Sequence, residues 1–145
     1  MFELVRLLEF DAGHRLVRHR GKCQALHGHR YKVEVVFKAE ELDGVGRVID
    51  FGLVKEQIGT WLEENFDHNM ILSHDDPLLL NIEIRAACKK GIPFAFPYPP
   101  SAENIARYIG EKVIPKVVDM RSELSLVEVG IWETPNCKGV WRAEA

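Results

Sequence analysis

The chain has 145 residues, of which 46% are hydrophobic and 28% are charged, and its formal net charge is -3. This composition is typical of a soluble globular protein, and the weak negative charge argues against nucleic acid as the main partner. No apolar run is long enough to span a membrane, and Glu3, Arg6 and Glu9 leave no signal-peptide core. Three cysteines at no framework spacing favour a reducing, cytoplasmic setting. Without internal repeats or linkers, one domain over residues 1–145 is expected.

The first predicted strand covers residues 2–11, where apolar residues recur with a period of two. His14 follows just beyond the predicted end of this strand. A second strand begins near Tyr31, and His27 and His29 precede it. Side chains two residues apart in a strand share a face, so these two imidazoles should project side by side.

Two imidazoles on one face provide two corners of a metal site, although histidines near strand ends often only cap backbone groups. If the first two strands pair as antiparallel neighbours, His14 would meet His27 and His29 and complete an open three-ligand zinc site. A strand-end hydrogen bond is the alternative for His14. The long loop over residues 15–28 carries Cys23, and such loops often hold catalytic groups, but an incidental thiol is equally compatible with the loop.

Asp50 is a plausible N-cap for a helix over residues 51–65, whose apolar residues fall on one face. Asp67 and His68 follow this helix. They could form a base with its orienting carboxylate or a polar pair at a helix end, and the dipeptide alone favours the polar pair. Residues 77–87 suit a short helix, and Pro93 restricts a short extended piece over residues 92–96 to a sheet edge.

Ser101 is a good N-cap for a second helix, with Glu103 in its first turn, and Pro115 should kink or end that helix. Strands are predicted over residues 124–133 and 139–143. Glu133 closes an apolar row formed by Val127, Val129 and Ile131. A buried carboxylate costs free energy unless it is paired, so Glu133 is either solvated or binds a ligand with hydrogen-bond donors.

The predicted order is strand, strand, helix, helix, strand, strand. This order indicates an α+β fold in which a four-stranded antiparallel sheet carries two helices on one face. Such a sheet has two open edges. Natural proteins cover or close open edges, so oligomerisation is expected.

Six short segments resemble the 6-pyruvoyl-tetrahydropterin synthase and 6-carboxytetrahydropterin synthase family, in the family's order and over nearly the whole chain. Each is short, but the set is specific. The segments are FDAGHRL (10–16), CQALHGHRY (23–31), VIDF (48–51), FDHNMIL (66–72), PSAENIA (100–106) and WETPN (132–136).

The resemblance implies that three subunits close their sheets into a barrel and that two trimers stack as a homo-hexamer. It implies Zn²⁺ held by three histidines, Cys23 as the catalytic base, and an Asp–His pair reaching the site from a neighbouring subunit. Glu133 would anchor the pterin, and groups around Ser101 and Glu103 would help to bind the ring. The implied metal ligands are His14, His27 and His29, and the implied catalytic pair is Asp67 and His68.

The resemblance further implies a lyase acting on 7,8-dihydroneopterin triphosphate. Cys23 lies four residues before His27, a spacing that resembles the bacterial and archaeal 6-carboxytetrahydropterin synthases of the queuosine route. The expected product is 6-carboxy-5,6,7,8-tetrahydropterin, with loss of triphosphate and acetaldehyde. The alternatives are 6-pyruvoyl-tetrahydropterin synthesis, a different zinc hydrolase, or a silent pterin-binding protein. Basic residues near the site are candidates to bind the triphosphate or form a solvated loop face: Arg15, Arg18, Arg20, Lys22 and Arg30.

Overall fold

The structure is a computed structural model that describes residues 1–17, 21 and 24–144. Two strands lie at each end of the chain, and the helices and two short strands lie between them, so the predicted α+β class is confirmed. The elements are β1 (Phe2–His14), β2 (His27–Ala39), α1 (Phe51–Asn65), β3 (Asn69–Ser73), a 3-10 helix (Pro77–Leu80), α2 (Ile82–Ala86), β4 (Phe94–Phe96), α3 (Ala102–Tyr108), a π-helical turn (Ile109–Val113), α4 (Ile114–Val117), β5 (Leu124–Thr134) and β6 (Cys137–Arg142).

Six strands form one mixed sheet in the order β4-β3-β1-β2-β5-β6. The four long strands β1, β2, β5 and β6 are antiparallel neighbours, as predicted. The prediction of only four strands is wrong, because β3 and β4 add in parallel beside the last residues of β1. These strands are too short for periodicity to reveal their pairing partners.

The two predicted helices begin where their capping residues predict. The Asp50 carboxylate accepts a hydrogen bond from the N–H of Gly52, and the Ser101 hydroxyl accepts one from the N–H of Asn104. Pro115 does not end the second helical stretch at its own position, since α4 continues through Val117. A π-helical turn precedes α4, so the irregularity near the proline lies in the preceding turn.

The hydrophobic core lies between the helices and one face of the sheet. Alternate residues of β1 and β2 are buried there, and the rings of Phe10 and Tyr31 stack with centroids 4.8 Å apart. Helix residues such as Val54 and Ile105 complete the same core. A register shift between β2 and β5 beside Val127 interrupts the predicted apolar row, which therefore starts at Val129.

The opposite face of the long strands is charged. Arg30 of β2 pairs with Glu9 and Asp11 of β1, and Lys138 of β6 pairs with Glu34. Antiparallel pairing places the end of β1 next to the start of β2. Among the described residues, no helix has both the length and the apolar character needed to cross a membrane.

Candidate functional site

Three histidines converge where β1 ends and β2 begins. β1 runs to His14 rather than stopping at residue 11, because its 13 residues pair one-to-one with those of β2. This register sets His14 opposite His27 and Ala12 opposite His29. The three imidazoles can each turn one nitrogen inward, with these atoms within 4.8 Å of one another. The structure therefore brings together the three residues that were predicted as metal ligands.

Main-chain carbonyls orient two of these rings. His14 Nδ1 lies 2.7 Å from the carbonyl oxygen of Pro100, and His27 Nδ1 lies 2.7 Å from that of Ala25. A carbonyl oxygen can only accept a hydrogen bond, so each Nδ1 carries the hydrogen and donates it. In the neutral rings, each Nε2 then presents a lone pair. Such second contacts fix ring orientation at metal sites.

The Nε2 atoms of His14 and His27 are 3.1 Å apart, and both point lone pairs into the cluster. His29 Nε2 is buried and has no hydrogen-bond partner among the described residues. The inward lone pairs of His14 and His27, with the unpartnered His29 Nε2 beside them, suit a cation that binds nitrogen. The donor set therefore fits Zn²⁺ with an open fourth position.

Burial favours the neutral form of His14 and His29. It lowers the pKa of His14 to about 4, and the neighbouring His27 and His29 lower it further, against the hydrogen bond to Pro100. The pKa of His29 is also lowered, mainly by burial, although the charge of Glu133 opposes the shift. A histidine must be deprotonated to bind a metal, so burial favours the form of His14 and His29 that a metal requires.

Glu133 borders the histidine cluster from the end of β5. Its carboxylate oxygens lie 3.8 Å from His14 Nε2 and 4.0 Å from His29 Nε2, and the side chain is 25% exposed. It lines a cavity of about 630 Å³ together with His29 and Trp132. The carboxylate therefore faces a space where a ligand could lie beside the histidines.

Asp67 and His68 form a second cluster, at the end of α1. Asp67 Oδ2 lies 3.0 Å from His68 Nδ1, and Asp67 Oδ1 accepts a hydrogen bond of 2.8 Å from the N–H of Asp11. Burial raises the pKa of Asp67, but the hydrogen bonds from Asp11 and His68 outweigh it, and the net pKa is lowered. Among the described residues, no hydrogen bond or ion pair joins this pair to His14, His27 or His29.

Ser101 and Glu103 lie at the start of α3. The Ser101 hydroxyl is engaged as a helix cap and lines a separate cavity of about 460 Å³ with Arg15. Its neighbour Pro100 supplies the carbonyl that orients His14. Glu103 is exposed and lies against Gly139 of β6. The structure thus joins Ser101 to the histidine site through Pro100, and places Glu103 beside the last strand.

Several predicted residues lie outside the described part of the chain, including Cys23. The same holds for three of the basic candidates: Arg18, Arg20 and Lys22. The other two are engaged with carboxylates, since Arg15 forms a two-point contact with Asp76 and Arg30 pairs with Glu9 and Asp11.

Sequence reasoning missed two features of the site. The Pro100 carbonyl reaches His14 across 86 residues, and a backbone acceptor has no sequence signature. Tyr31 is fully buried beside His14 and His29, with ring centroids 5.7 and 5.4 Å away, and its hydroxyl has no partner among the described residues. The strand period predicted its burial but not the unpaired hydroxyl.

Comparisons with known proteins agree with this architecture. A 6-carboxy-5,6,7,8-tetrahydropterin synthase of Rickettsia conorii is 40% identical over 137 residues, which cover 94% of this chain and 97% of the relative. A protein of the same name from Rickettsia felis is also 40% identical, with the same coverage of both chains. These relatives span nearly the whole chain, so the likeness is not confined to the histidine motif.

A crystal structure of 6-pyruvoyl tetrahydropterin synthase from Plasmodium vivax superposes with a TM-score of 0.72 at 23% identity and covers 100% of both chains. At this identity the likeness establishes the fold alone. The sequence model of the family described as 6-pyruvoyl tetrahydropterin synthase matches residues 3–144. The chain therefore belongs to the 6-pyruvoyl tetrahydropterin synthase family.

Proposed function

We propose that the chain is a 6-carboxy-5,6,7,8-tetrahydropterin synthase, a lyase that acts on 7,8-dihydroneopterin triphosphate and releases triphosphate and acetaldehyde. The observation that carries the proposal is the convergence of the His14, His27 and His29 imidazoles beside the Glu133 carboxylate. The names of the relatives that are 40% identical over nearly the whole chain support the same product.

His14, His27 and His29 would hold Zn²⁺ in the proposed enzyme. When bound, the metal supplies Lewis-acid polarisation of a substrate oxygen. The protein contributes orientation, because Pro100 and Ala25 hold two of the rings with Nε2 facing inward. Ring rotation is thereby restricted before any ligand arrives, which reduces the entropy lost on binding.

Glu133 would anchor the amino-pyrimidine edge of the pterin. That edge presents two adjacent N–H donors, which match the two oxygens of a carboxylate. Glu133 lies at the rim of the histidine cluster, so a ring bound there would direct its side chain toward His14 and His29. The carboxylate thus fixes which part of the substrate meets the histidines.

Cys23 would act as the base that removes a proton from the substrate side chain. It must be a thiolate to do so, and a nearby cation favours that form. It lies outside the described residues, so this role is carried from the family motif CQALHGHRY. Asp67 and His68 would relay protons in the same reaction, and would reach the site of a neighbouring subunit.

Open strand edges support assembly into a trimer and then a hexamer. β1 pairs with β3 only over residues Ala12, Gly13 and His14, which leaves the outer edge of its earlier residues available. β6 forms the other end of the sheet. In the proposed trimer, the edge of β1 in one subunit meets β6 of the next, and the charged helix-free face lines the barrel. Such closure removes edges that would otherwise promote aggregation.

The product distinguishes this proposal from its alternative. Zinc-loaded protein is incubated with 7,8-dihydroneopterin triphosphate, and the pterin products and acetaldehyde are identified by mass spectrometry. We expect 6-carboxytetrahydropterin together with acetaldehyde. 6-Pyruvoyl-tetrahydropterin without acetaldehyde would instead place the chain with the pyruvoyl synthases, and absence of turnover with zinc bound would overturn the substrate assignment.

Two variants test the assigned residues in the same assay. Cys23→Ala should keep its zinc and lose turnover. Glu133→Ala should raise KM strongly while zinc content stays the same, because the pterin donors would lose their acceptor. Full activity in either variant would remove that residue from the site. Lys90→Met, which changes an exposed residue, serves as the control.

A further inference from the structure

The turn that follows α2 places a lysine against the end of α1. The Lys89 ammonium donates hydrogen bonds to the main-chain carbonyls of Glu63 and Asp67, the second at 3.1 Å. The last carbonyls of a helix have no partners within the helix and carry partial negative charge. Lys89 therefore joins the end of α1 to the first residue of the Asp67–His68 pair.

The same pair is held from the other side by the backbone of β1. The N–H of Asp11 donates to the Asp67 carboxylate at 2.8 Å, and the carbonyl of Asp11 accepts from the N–H of His68 at 2.6 Å. His68 has a φ of 56°, in the left-handed region that non-glycine residues rarely adopt. A conformation of this kind persists only where its surroundings hold it.

Lys89 is itself held in place by its neighbour Cys88. Cys88 is buried, and its thiol forms a hydrogen bond with the backbone of Met70 in β3. A tight turn closes behind it, where the N–H of Gly91 donates to the Cys88 carbonyl at 3.0 Å. The segment between β3 and β4 thus contacts the chain on both sides of the Asp67–His68 pair. Cys88 contacts Met70 after the pair, and Lys89 contacts Glu63 before it.

We propose that Lys89 is a positioning residue, which holds the Asp67–His68 pair in the geometry that the reaction needs by clamping the Asp67 carbonyl to the end of α1. The inference deepens the proposed function and rests on the role given there to Asp67 and His68. It also gives a function to the segment over residues 77–97, because this segment places Lys89 beside the end of α1.

The positive charge of Lys89 also favours the ionised form of the Asp67 carboxylate. It contributes to the lowered pKa of Asp67, together with the Asp11 N–H and His68. Among the described residues, Asp67 faces Asp11 from β1, His68 from the same turn and Lys89 from the turn after α2. It also lines a cavity with further charged groups of β1, β2 and α1: Arg6, Glu9, Lys32, Lys55, Glu56 and Glu63. Loss of the cation should therefore raise the pKa of Asp67, so that this carboxylate is protonated at a higher pH.

The test compares Lys89→Met and Lys89→Arg with the unchanged protein, and uses Lys90→Met as the matched control. Lys90 is the adjacent exposed lysine, and no hydrogen bond or ion pair connects it to the described residues. We expect Lys89→Met to lower kcat about fivefold, in line with the strength of a cation at a helix C-terminus. KM and zinc content should stay unchanged, and the acid limb of the kcat profile should move to higher pH.

Lys89→Arg retains the positive charge and its hydrogen-bond donors. Its kcat and the position of its acid limb should therefore match those of the unchanged protein. Hydrogen exchange gives a readout that needs no turnover. Backbone amides over residues 66–69 should exchange faster in Lys89→Met than in Lys90→Met, whether or not zinc is bound, because the turn has lost one of its two attachments.

Asp67→Asn separates failure of this inference from failure of the proposed function. If Asp67→Asn abolishes turnover while Lys89→Met matches Lys90→Met in kcat, pH profile and exchange, Lys89 has no positioning role and the function stands. If Asp67→Asn keeps normal turnover, the pair is not part of the reaction, and both its proposed role and the role of Lys89 are overturned.

Discussion

The Nε2 atoms of His14 and His27 lie 3.1 Å apart with no hydrogen to bridge them, because each ring donates its Nδ1 hydrogen to a main-chain carbonyl. Two lone pairs at this distance repel each other. Breaking the Nδ1 contact of His14 would leave a buried polar atom unpaired, which costs ~1–3 kcal/mol. We therefore expect a cation bound between the rings to relieve this repulsion and to stabilise the cluster.

Metal removal should lower the thermal stability of the protein. A ligand that binds only the folded state stabilises it by ~2.7 kcal/mol when present at 100 times its Kd. We expect chelation to lower the midpoint of thermal unfolding measured by calorimetry, and re-addition of zinc to restore it. His14→Ala should show the low midpoint from the start and respond little to chelator.

His74→Ala is the matched control, since His74 is exposed and lies outside the three-histidine cluster. It should keep both the zinc and the chelator response of the unchanged protein. Zinc content of one ion per chain in His14→Ala, measured by elemental analysis, would show that His14 is not a ligand.

Much of the histidine site could be predicted from local patterns. A period of two places His27 and His29 on one face, and pairing of the first two strands brings His14 to them. The predicted end of β1 was three residues too early, because Ala12, Gly13 and His14 lack the apolar alternation on which the prediction depended. Pairing with β2 holds these residues in the strand whatever their own propensity.

Long-range and backbone contacts could not be predicted in this way. The Pro100 carbonyl that orients His14 and the Asp11 backbone that holds Asp67 have no side-chain signature. The parallel pairing of β3 beside β1 depends on the path of the whole chain between them. Only the three-dimensional structure shows these contacts, and they are the ones that position the candidate functional groups.

Loss of Arg15 should destabilise the fold strongly. Its guanidinium contacts both oxygens of Asp76, at 2.7 and 2.5 Å, and the Asp76 side chain is completely buried. Arg15→Met would leave a buried carboxylate without its cation, which typically costs ~3–5 kcal/mol. Arg47→Met, which removes exposed ion pairs to Asp43 and Asp50, should cost less than ~1 kcal/mol. Urea unfolding at matched protein concentration measures both.

The difference between Arg15→Met and the unchanged protein should depend on pH. Burial raises the pKa of Asp76, but the hydrogen bonds from Arg15 and the Leu78 N–H outweigh it, so the net pKa lies below the ordinary value of 3.8. A lowered carboxyl pKa contributes stability that is present above the unfolded-state pKa and is lost as the pH falls through the folded-state value. The difference in the free energy of unfolding should be largest at pH 7 and should shrink below about pH 4. A difference in the free energy of unfolding that stayed the same from pH 7 to the lowest pH at which both proteins fold would contradict an ionic origin.

Two glycine substitutions should have opposite effects on stability. A Cβ added at Gly110, in the π-helical turn, would overlap the indole ring of Trp141. Gly110→Ala should therefore cost ~1–3 kcal/mol through overpacking. Gly59 lies within α1, where an added Cβ meets only the Lys55 side chain at 3.9 Å. Gly59→Ala should raise the free energy of unfolding by ~0.5–1 kcal/mol. Equal effects would show that the indole ring moves aside freely.

Removing the Tyr31 hydroxyl should stabilise the metal-free protein. The side chain is fully buried, and its hydroxyl has no hydrogen-bond partner within the described residues. Burial, with the nearby charge of Glu133, raises the pKa of this hydroxyl, so it stays protonated and bears the cost of an unpaired donor. An unsatisfied buried group costs ~1–3 kcal/mol, so Tyr31→Phe should raise the free energy of unfolding by up to that amount. Tyr31→Leu is the contrasting variant, because it also loses the ring stack with Phe10 and should be less stable than Tyr31→Phe. If Tyr31→Phe is instead destabilised by more than ~1 kcal/mol, the hydroxyl has a partner in solution, and Glu133, whose charge acts on this hydroxyl, could accept its hydrogen.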